Sequence, residues 1–240
     1  MYKQTPVSIL LPVCDEEDVI EDVINEWNQK VLLKLPLGSE FVIEDASIDA
    51  TPKILAKLKK KGVNINLNFF KKDGFHNAVR RLPHYTKNEI IFVTDADGQY
   101  PVEDFWKIYN SFEGYDIVNG YKKKRKDILF RIIISNVFNV IINLLFFRKI
   151  VNLDLNCLYR LMYKKTYVSL LDESKFLTNF PTTESNVIAH HRKLKIKYIG
   201  IISKKRKFGK SSSFPTKYII FNILNFFIQI IKFRIFFNVK

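Results

Sequence analysis

The feature that most constrains the fold is an alternation between short apolar runs and segments of helical periodicity near the start of the chain. Apolar runs occupy residues 7–13, 40–43 and 63–69, and helical patterns occupy residues 16–35 and 51–60. Strands that alternate with helices predict a mostly parallel sheet covered by helices on both faces. We therefore expect an α/β fold of Rossmann-like architecture, which binds ligands at the carboxyl ends of its strands.

Acidic turns follow three of the predicted strands. They occupy residues 12–17, 45–49 and 95–99, the last after an apolar run at 89–94. Asp and Ser at a strand-to-helix turn are often helix caps, and each of these turns taken alone can be explained in that way. Three such turns in equivalent positions favour a shared ligand site at one edge of the sheet.

The charge of the chain is concentrated at its end. The net charge is +15, and after Glu184 there is no Asp or Glu, whereas thirteen Lys and Arg residues follow. Such asymmetry indicates an anionic partner, which could be nucleic acid, an acidic membrane surface or a phosphorylated substrate. Nucleic acid is disfavoured because the aromatic residues lie in continuous apolar runs and not between the basic residues.

The cysteines and the first residues bear on the cellular compartment. Cys14 and Cys157 fit neither a CxxC motif nor a metal-ligand spacing, so neither a disulfide framework nor a zinc site is supported. A strand pattern starts within a few residues of Met1, without an apolar signal segment. We expect a reducing, cytoplasmic setting and contact with the cytoplasmic face of a membrane.

Two late apolar segments carry polar stripes at helical spacing, in residues 128–147 and 218–231. The stripe residues are Arg131, Ser135, Asn139 and Asn143 in the first segment and Asn222, Asn225, Gln229 and Lys232 at the second. Both uninterrupted apolar lengths fall short of the roughly 20 residues that span a bilayer, so amphipathic helices lying in the membrane interface are favoured. Two core helices of a soluble domain are the alternative. We expect a catalytic domain at 1–217 and a membrane-associated helix at 218–240.

A pair of carboxylates ends the strand at 89–94. Asp95 and Asp97 are separated by one residue, so both can reach one hard cation while leaving coordination positions open for phosphate oxygens. Oxygen ligands of this kind fit Mg²⁺ or Mn²⁺. The sequence thus predicts a divalent metal site at this turn.

Segments 7–17, 43–51 and 93–101 together resemble glycosyltransferase family 2. Within that family they are most similar to dolichol-phosphate mannosyltransferase and bacterial polyprenyl-phosphate glycosyltransferases. The resemblance runs from residue 7 to about residue 211 and implies a glycosyltransferase-A fold. It also implies a nucleotide-sugar site, whose residues would be Pro12, Val13, Glu16, Asp45, Ser47, Asp95, Ala96 and Asp97. Gln99 would join Asp95 and Asp97 at the metal.

The same resemblance assigns cations to the phosphates. Lys122 lies where the family has the Arg of a GxR motif, and Arg206 begins an RxxGxS-like element. Arg131 and Ser135 match an Arg and a Ser of a membrane-proximal helix, so Arg131, Ser135 and Arg206 would bind the acceptor phosphate. Asp97, Lys122, Arg131 and Arg206 are the expected catalytic residues. Ala46 replaces a usual Gly, which requires a turn without a positive φ angle.

The expected reaction is transfer of mannose or glucose from a GDP- or UDP-linked sugar to a lipid phosphate. A phosphate acceptor is already an anion at neutral pH, so it needs no strong general base, whereas metal and cationic side chains stabilise the departing diphosphate. The alternative is a family 2 enzyme that acts on a sugar hydroxyl in polysaccharide or glycolipid synthesis. That reaction needs a carboxylate base, for which Asp154 and Glu184 are the candidates.

Overall fold

A computed structural model describes residues 2–124, 129–147, 150, 154–204 and 219–237. Its strands are β1 (Val7–Val13), β2 (Glu40–Asp45), β3 (Ile65–Phe69), β4 (Ile90–Val93), β5 (Ile117–Lys124), β6 (Arg160–Tyr163) and β7 (Ile196–Ile202). Its helices are α1 (Ile20–Lys30), α2 (Thr51–Lys60), α3 (Phe75–Arg81), α4 (Asp104–Tyr109), α5 (Leu129–Ile142), α6 (Lys164–Glu173), α7 (Pro181–His191) and α8 (Ile219–Phe236).

The seven strands form one sheet in the order β3-β2-β1-β4-β6-β5-β7. All pairs are parallel except those of β6, which runs antiparallel to β4 and β5. The predicted α/β architecture with a mostly parallel sheet is confirmed. Since β2, β1 and β4 are parallel neighbours, the three acidic turns that follow them lie at one edge, as the sequence indicated.

Alternate side chains of the strands pack on opposite faces of the sheet. Ile9 and Phe92 belong to a core that contains α1, α2 and α4, where the Trp27 ring packs against Phe92 at a centroid distance of 5.6 Å. Leu10 and Ile91 point into a second core that contains α6 and α7. The sheet is thus buried on both faces, as continuous apolar strands require.

The first helix is shorter than the pattern at 16–35 predicted. It begins at Ile20 and ends at Lys30, and a separate 3-10 turn follows at Leu32–Lys34. Residues 15–17 instead belong to the turn after β1, where their backbone N–H groups donate to side chains in the turn after β2 and at the start of α2. By contrast, β1 and α2 have the bounds that the sequence predicted.

Helices α5 and α8 pack on the second core through aromatic rings. Phe138 contacts Phe226 at 4.4 Å between ring centroids, and Phe146 contacts Phe233 at 4.5 Å. Within the described ranges, no helix combines the length and the apolarity that crossing a bilayer requires.

The interpretation of α8 as an amphipathic helix with an exposed polar stripe is wrong at Gln229. This side chain is 9% exposed, and its amide donates to Thr178 Oγ1 at 3.0 Å. Asn139 and Asn143 of the α5 stripe are also buried. A buried amide needs a polar partner, so these residues face the protein. Among the described side chains of α5 and α8, most of the exposed ones are apolar, and Lys232 and Arg234 are exposed as well.

Candidate functional site

Side-chain hydrogen bonds join the turn after β1 to the turn after β2. Asp15 N donates to Ser47 Oγ at 2.7 Å, and Ile48 N donates back to Asp15 Oδ1 at 2.9 Å. Glu16 N donates to Thr51 Oγ1 at 3.0 Å. Short polar side chains at these positions satisfy backbone groups that no strand or helix pairs. Ser47, a predicted nucleotide contact, thereby holds the two turns together.

Asp45 lies at the end of β2 with one carboxylate oxygen engaged. Asp45 Oδ1 accepts from Ser47 N at 3.0 Å, whereas Asp45 Oδ2 is buried without a hydrogen-bond partner among the described residues. Burial is the main cause that raises the pKa of Asp45. Pro12 and Val13 lie beside it on β1, Val13 in register with Asp45. An unpaired buried acceptor suits an N–H donor from a ligand.

The turn that contains Ala46 avoids a positive φ angle. Among the described residues, Asp15 and Lys193 are the non-glycine residues with positive φ. Ala46 N instead donates to Val13 O at 3.0 Å. The replacement of the usual glycine is therefore accommodated without backbone strain.

Lys72 is a feature of this edge to which the sequence assigned no role. Lys72 Nζ lies 2.6 Å from Asp15 Oδ2, and this hydrogen bond is the main cause that lowers the pKa of Asp15. The adjacent Asp73 pairs with Arg81, whose Nε also donates to both oxygens of buried Glu44 at 3.1 Å. These ion pairs hold the segment after β3 beside Asp45.

The predicted metal ligands lie together after β4. Burial raises the pKa of Asp95, and the negative charge of Asp97 raises it further, whereas Lys122 acts in the opposite direction. Asp97 Oδ1 accepts from Gln99 N at 3.0 Å, which folds the turn. The chain thus concentrates negative charge in a poorly hydrated place. That electrostatic setting and the oxygen donors fit a hard divalent cation.

This turn carries two acidic side chains, Asp95 and Asp97. In the described part of the chain, no group of three or more His, Cys, Asp and Glu side chains is placed to hold a metal ion. A pair of this kind can hold Mg²⁺ or Mn²⁺ when substrate phosphates and water complete the coordination. Asp95 and Asp97 would be the ligands, and a contact from the Gln99 side chain stays a prediction.

Lys122 reaches the same edge from β5. Its ammonium lies 5.3 Å from the centroid of the Tyr100 ring, and its backbone N–H donates to Asp154 Oδ2 at 2.8 Å. Tyr100 OH lies 3.6 Å from Cys157 Sγ, so the loop after residue 153 packs directly under this cation. The structure brings Lys122 close to the acidic pair, as a phosphate-binding role requires.

The end of β7 joins the metal turn. Lys204 N donates to Gln99 O at 2.7 Å, which fixes the last described residue before 205 next to Asp97. Arg206 and the element it begins lie outside the described residues. Ser135 lies on α5 and is partly buried, and the side chain of Arg131, in the same helix, lies outside the described part.

Glu184 is not available as a catalytic base. Its side chain is fully buried, and its carboxylate accepts hydrogen bonds from Lys175 N, Phe176 N and Leu177 N at 2.7–3.1 Å. The conflict with the sequence-based role has a physical cause, since the segment that joins α6 to α7 has no regular structure to pair these N–H groups. Glu184 supplies the missing acceptors.

The fold and the acidic edge together define an α/β protein with a predicted metal site at the turn after β4. The chain belongs to glycosyl transferase family 2, whose model matches residues 8–160. A curated relative, undecaprenyl-phosphate 4-deoxy-4-formamido-L-arabinose transferase of Salmonella choleraesuis (strain SC-B67), is 26% identical over 141 residues. The match covers 57% of this chain and 42% of the relative, so the chain spans less than half the length of the curated relatives it matches.

Solved structures share the fold at low sequence identity. Glucosyl-3-phosphoglycerate synthase from Mycobacterium tuberculosis, in complex with Mn²⁺, UDP and glucosyl-3-phosphoglycerate, is similar with a TM-score of 0.67 and 15% identity over 96% of this chain and 80% of that one. Mannosyl-3-phosphoglycerate synthase from Rubrobacter xylanophilus gives 0.66 and 14% over 96% and 73%. These likenesses confirm the glycosyltransferase-A fold.

A first prediction concerns metal binding and pH. Because the folded-state pKa of Asp95 lies above its usual 3.8, the ionised carboxylate weakens the metal-free fold as the pH rises above that value. A divalent cation binds the ionised form and removes this repulsion. Mn²⁺ or Mg²⁺ should therefore raise the melting temperature more at pH 8 than at pH 5, with affinity about tenfold weaker for each pH unit below the pKa.

Differential scanning fluorimetry on wild type, Asp95→Asn and Asp172→Asn checks this. The exposed Asp172 provides a matched control that should behave as wild type, whereas Asp95→Asn should lose the metal-induced shift. An equal shift at both pH values in wild type would contradict the electrostatic account of the pair.

A second prediction concerns Glu184. Glu184→Ala leaves three buried N–H groups without an acceptor, so the free energy of unfolding should fall by about 3 kcal/mol or more in urea denaturation. Glu113→Ala, at an exposed position, should change it by less than about 0.5 kcal/mol. A Glu184→Ala protein of unchanged stability that has lost its activity would restore the role of catalytic base.

Proposed function

We propose that this protein transfers a hexose, mannose or glucose, from a UDP- or GDP-linked sugar to a polyprenyl or dolichyl phosphate. The observation that carries the proposal is the carboxylate pair of Asp95 and Asp97, with Lys122 beside it, at the edge where Asp45 has a buried oxygen without a hydrogen-bond partner among the described residues. One end of this edge suits a nucleobase, and the other suits a metal-bound diphosphate.

The nucleotide half of the proposal rests on Asp45. Uracil and guanine each carry a ring N–H group that can donate a hydrogen bond to Asp45 Oδ2, so both UDP and GDP donors are consistent with this contact. Pro12, Val13 and Ser47 line the same turns. Burial is the main cause that raises the pKa of Asp95, and the charge of Glu16 adds to it, which supports a place for Glu16 near the metal end of the site.

The diphosphate half rests on charge. When bound, Mg²⁺ or Mn²⁺ would neutralise negative charge that develops on the departing nucleotide diphosphate. Asp95 and Asp97 would hold the cation, Gln99 would add an oxygen, and Ala96 keeps the two carboxylates one residue apart. Lys122 offers a positive charge to the phosphates from the other side, and we assign Arg206 the same task.

The acceptor half favours a phosphate over a hydroxyl. A sugar hydroxyl would need a carboxylate base, but Glu184 is committed to three backbone N–H groups and Asp154 Oδ2 accepts from Lys122 N. A lipid phosphate is an anion before it reacts and needs no such base. The undecaprenyl-phosphate named for the curated relative supports this acceptor. We assign the acceptor phosphate to Arg131, Ser135 and Arg206.

The surface of α5 and α8 supports a membrane-bound acceptor. We call the exposed apolar side chains of α5, its following turn and α8 the α5–α8 apolar face; they are Ile133, Val137, Leu144, Phe227, Ile228, Ile231, Ile235 and Phe236. An apolar surface of this kind marks an interaction site on a water-exposed protein. Together with the basic end of the chain it suits the anionic, cytoplasmic surface of a membrane, which we propose as the place of action.

A third prediction tests the reaction. Wild-type protein with Mn²⁺ should transfer radiolabelled hexose from UDP-glucose or GDP-mannose to a polyprenyl phosphate in mixed micelles, and chelator should abolish transfer. Asp97→Asn should lower the rate by about 100-fold or more, because metal stabilisation of the leaving group contributes several kcal/mol. Asp172→Asn is the matched control. Transfer to a sugar hydroxyl but not to the lipid phosphate would favour the alternative reaction.

A fourth prediction tests the membrane surface by flotation with anionic vesicles. The double change Ile231→Glu with Ile235→Glu puts two charges on the α5–α8 apolar face and should lower vesicle binding about tenfold or more. Phe69→Glu is the matched control, since Phe69 is 60% exposed on the edge strand β3 and not on this face. Unchanged flotation of the double variant would place the membrane contact elsewhere.

A further inference from the structure

Two buried side-chain amides bind the backbone N–H and C=O groups of Leu155. Its N–H donates to Asn139 Oδ1 of α5 at 2.9 Å, and its carbonyl accepts from Asn186 Nδ2 of α7 at 2.6 Å. This peptide belongs to no strand or helix. Because a buried peptide group must be paired, the two amides take the place of a strand partner.

The hydrogen bonds continue to the strand that carries the phosphate-binding cation. Asn186 Oδ1 accepts from Asn119 Nδ2 at 2.9 Å, and Asn119 lies on β5 three residues before Lys122. Asp154, the neighbour of Leu155, accepts from Lys122 N at 2.8 Å. The loop at 154–158 is therefore connected to Lys122 both directly and through a chain of amides.

All three asparagines are closed off from water. Asn139, Asn186 and Asn119 are 1–2% exposed. In so dry a place a lost hydrogen bond is not replaced by solvent, so each amide has a defined orientation. The amide of Asn139 is itself oriented by Ser135 O, to which Asn139 Nδ2 donates at 2.6 Å.

We infer that Asn139 is a positioning residue, which fixes Lys122 for transfer by holding the Leu155 peptide against helix α5. The inference rests on the proposed function, because it requires Lys122 to act on the phosphates. Its mechanical basis is that α5 carries Ile133 and Val137 on the α5–α8 apolar face and Asn139 on the buried side. A helix that contacts the lipid thus also holds the loop beneath the cation.

The role predicts a specific kinetic change. Asn139→Leu removes the acceptor of Leu155 N–H, so Asp154 and the backbone of Lys122 shift relative to Asp95 and Asp97. A side chain that acts through another typically contributes about 10–100-fold to rate. We expect kcat for hexose transfer to fall by that factor, while the dissociation constant for the nucleotide in calorimetry stays within about twofold.

Asn143→Leu is the matched control. It removes a second buried amide from the same polar stripe, one that donates to Asn139 O inside the helical segment at 2.7 Å. If Asn139 acted only through the stability of this segment, both variants would lower kcat alike. The positioning role predicts that kcat falls with Asn139→Leu and stays within about threefold of wild type with Asn143→Leu.

Asn139→Asp provides a rescue. A buried carboxyl at this position has its pKa raised, so at low pH it is protonated and reproduces both the donor and the acceptor of the amide. Relative to wild type at the same pH, its kcat should be higher at pH 6 than at pH 8. A variant that merely disturbed packing would show the same ratio at both values.

Hydrogen exchange of the Leu155 and Lys122 amides separates this inference from the proposed function. If wild type transfers nothing to polyprenyl phosphate, the proposed function fails, and exchange then decides the positioning role. Faster exchange at both amides in Asn139→Leu supports that role, and unchanged exchange at Lys122 overturns it. With active wild type, an unaltered kcat in Asn139→Leu overturns it as well.

Discussion

The arrangement of the site depends on electrostatic repulsion between two carboxylates that the fold keeps close together. Asp95 and Asp97 follow β4, which is buried on both faces, so water cannot fully solvate the negative charge of the two carboxylates. A protein tolerates such a pair when a ligand compensates it. Lys122, near the end of β5, which runs in the same direction as β4, supplies part of that compensation. The rest is left to a cation and to the phosphates it binds.

Parallel pairing explains why the sequence was so informative here. Once β2, β1 and β4 are neighbours in one direction, residues 12–17, 45–49 and 95–99 have to share an edge. Strand periodicity and short acidic turns are local signals, and both are visible in one sequence. The resemblance to the family added the prediction of which carboxylate contacts which part of the ligand. The α/β fold and the shared acidic edge could therefore be predicted, down to the bounds of β1 and α2.

Local signals failed where the partner of a side chain lies far along the chain. Glu184 was a candidate general base from the sequence, and nothing nearby in the sequence indicated that three backbone N–H groups of the loop before α7 would need it as their acceptor. Gln229 read as part of a water-facing stripe, although Thr178 pairs with it inside the fold. Lys72 gave no sign of its pairing with Asp15, 57 residues away. The position of a polar residue on an apolar helix does not by itself indicate which face of the helix is buried.

The amides around Leu155 also bear on the order of folding. Their hydrogen bonds join residues 16, 31 and 67 positions apart, so the loop at 154–158 is complete only after β5, α5 and α7 have come together. Contacts of such separation form late, because the chain must first lose the entropy of the intervening loops. The hydrogen bonds between the turns after β1 and β2 also span 32–35 residues, but they need only the first 51 residues of the chain. Because a chain is synthesised from its N-terminus, a nascent chain can join these two turns before β5, α5 and α7 bring Lys122 to the same edge. The acidic edge is therefore complete only when the rest of the domain has folded.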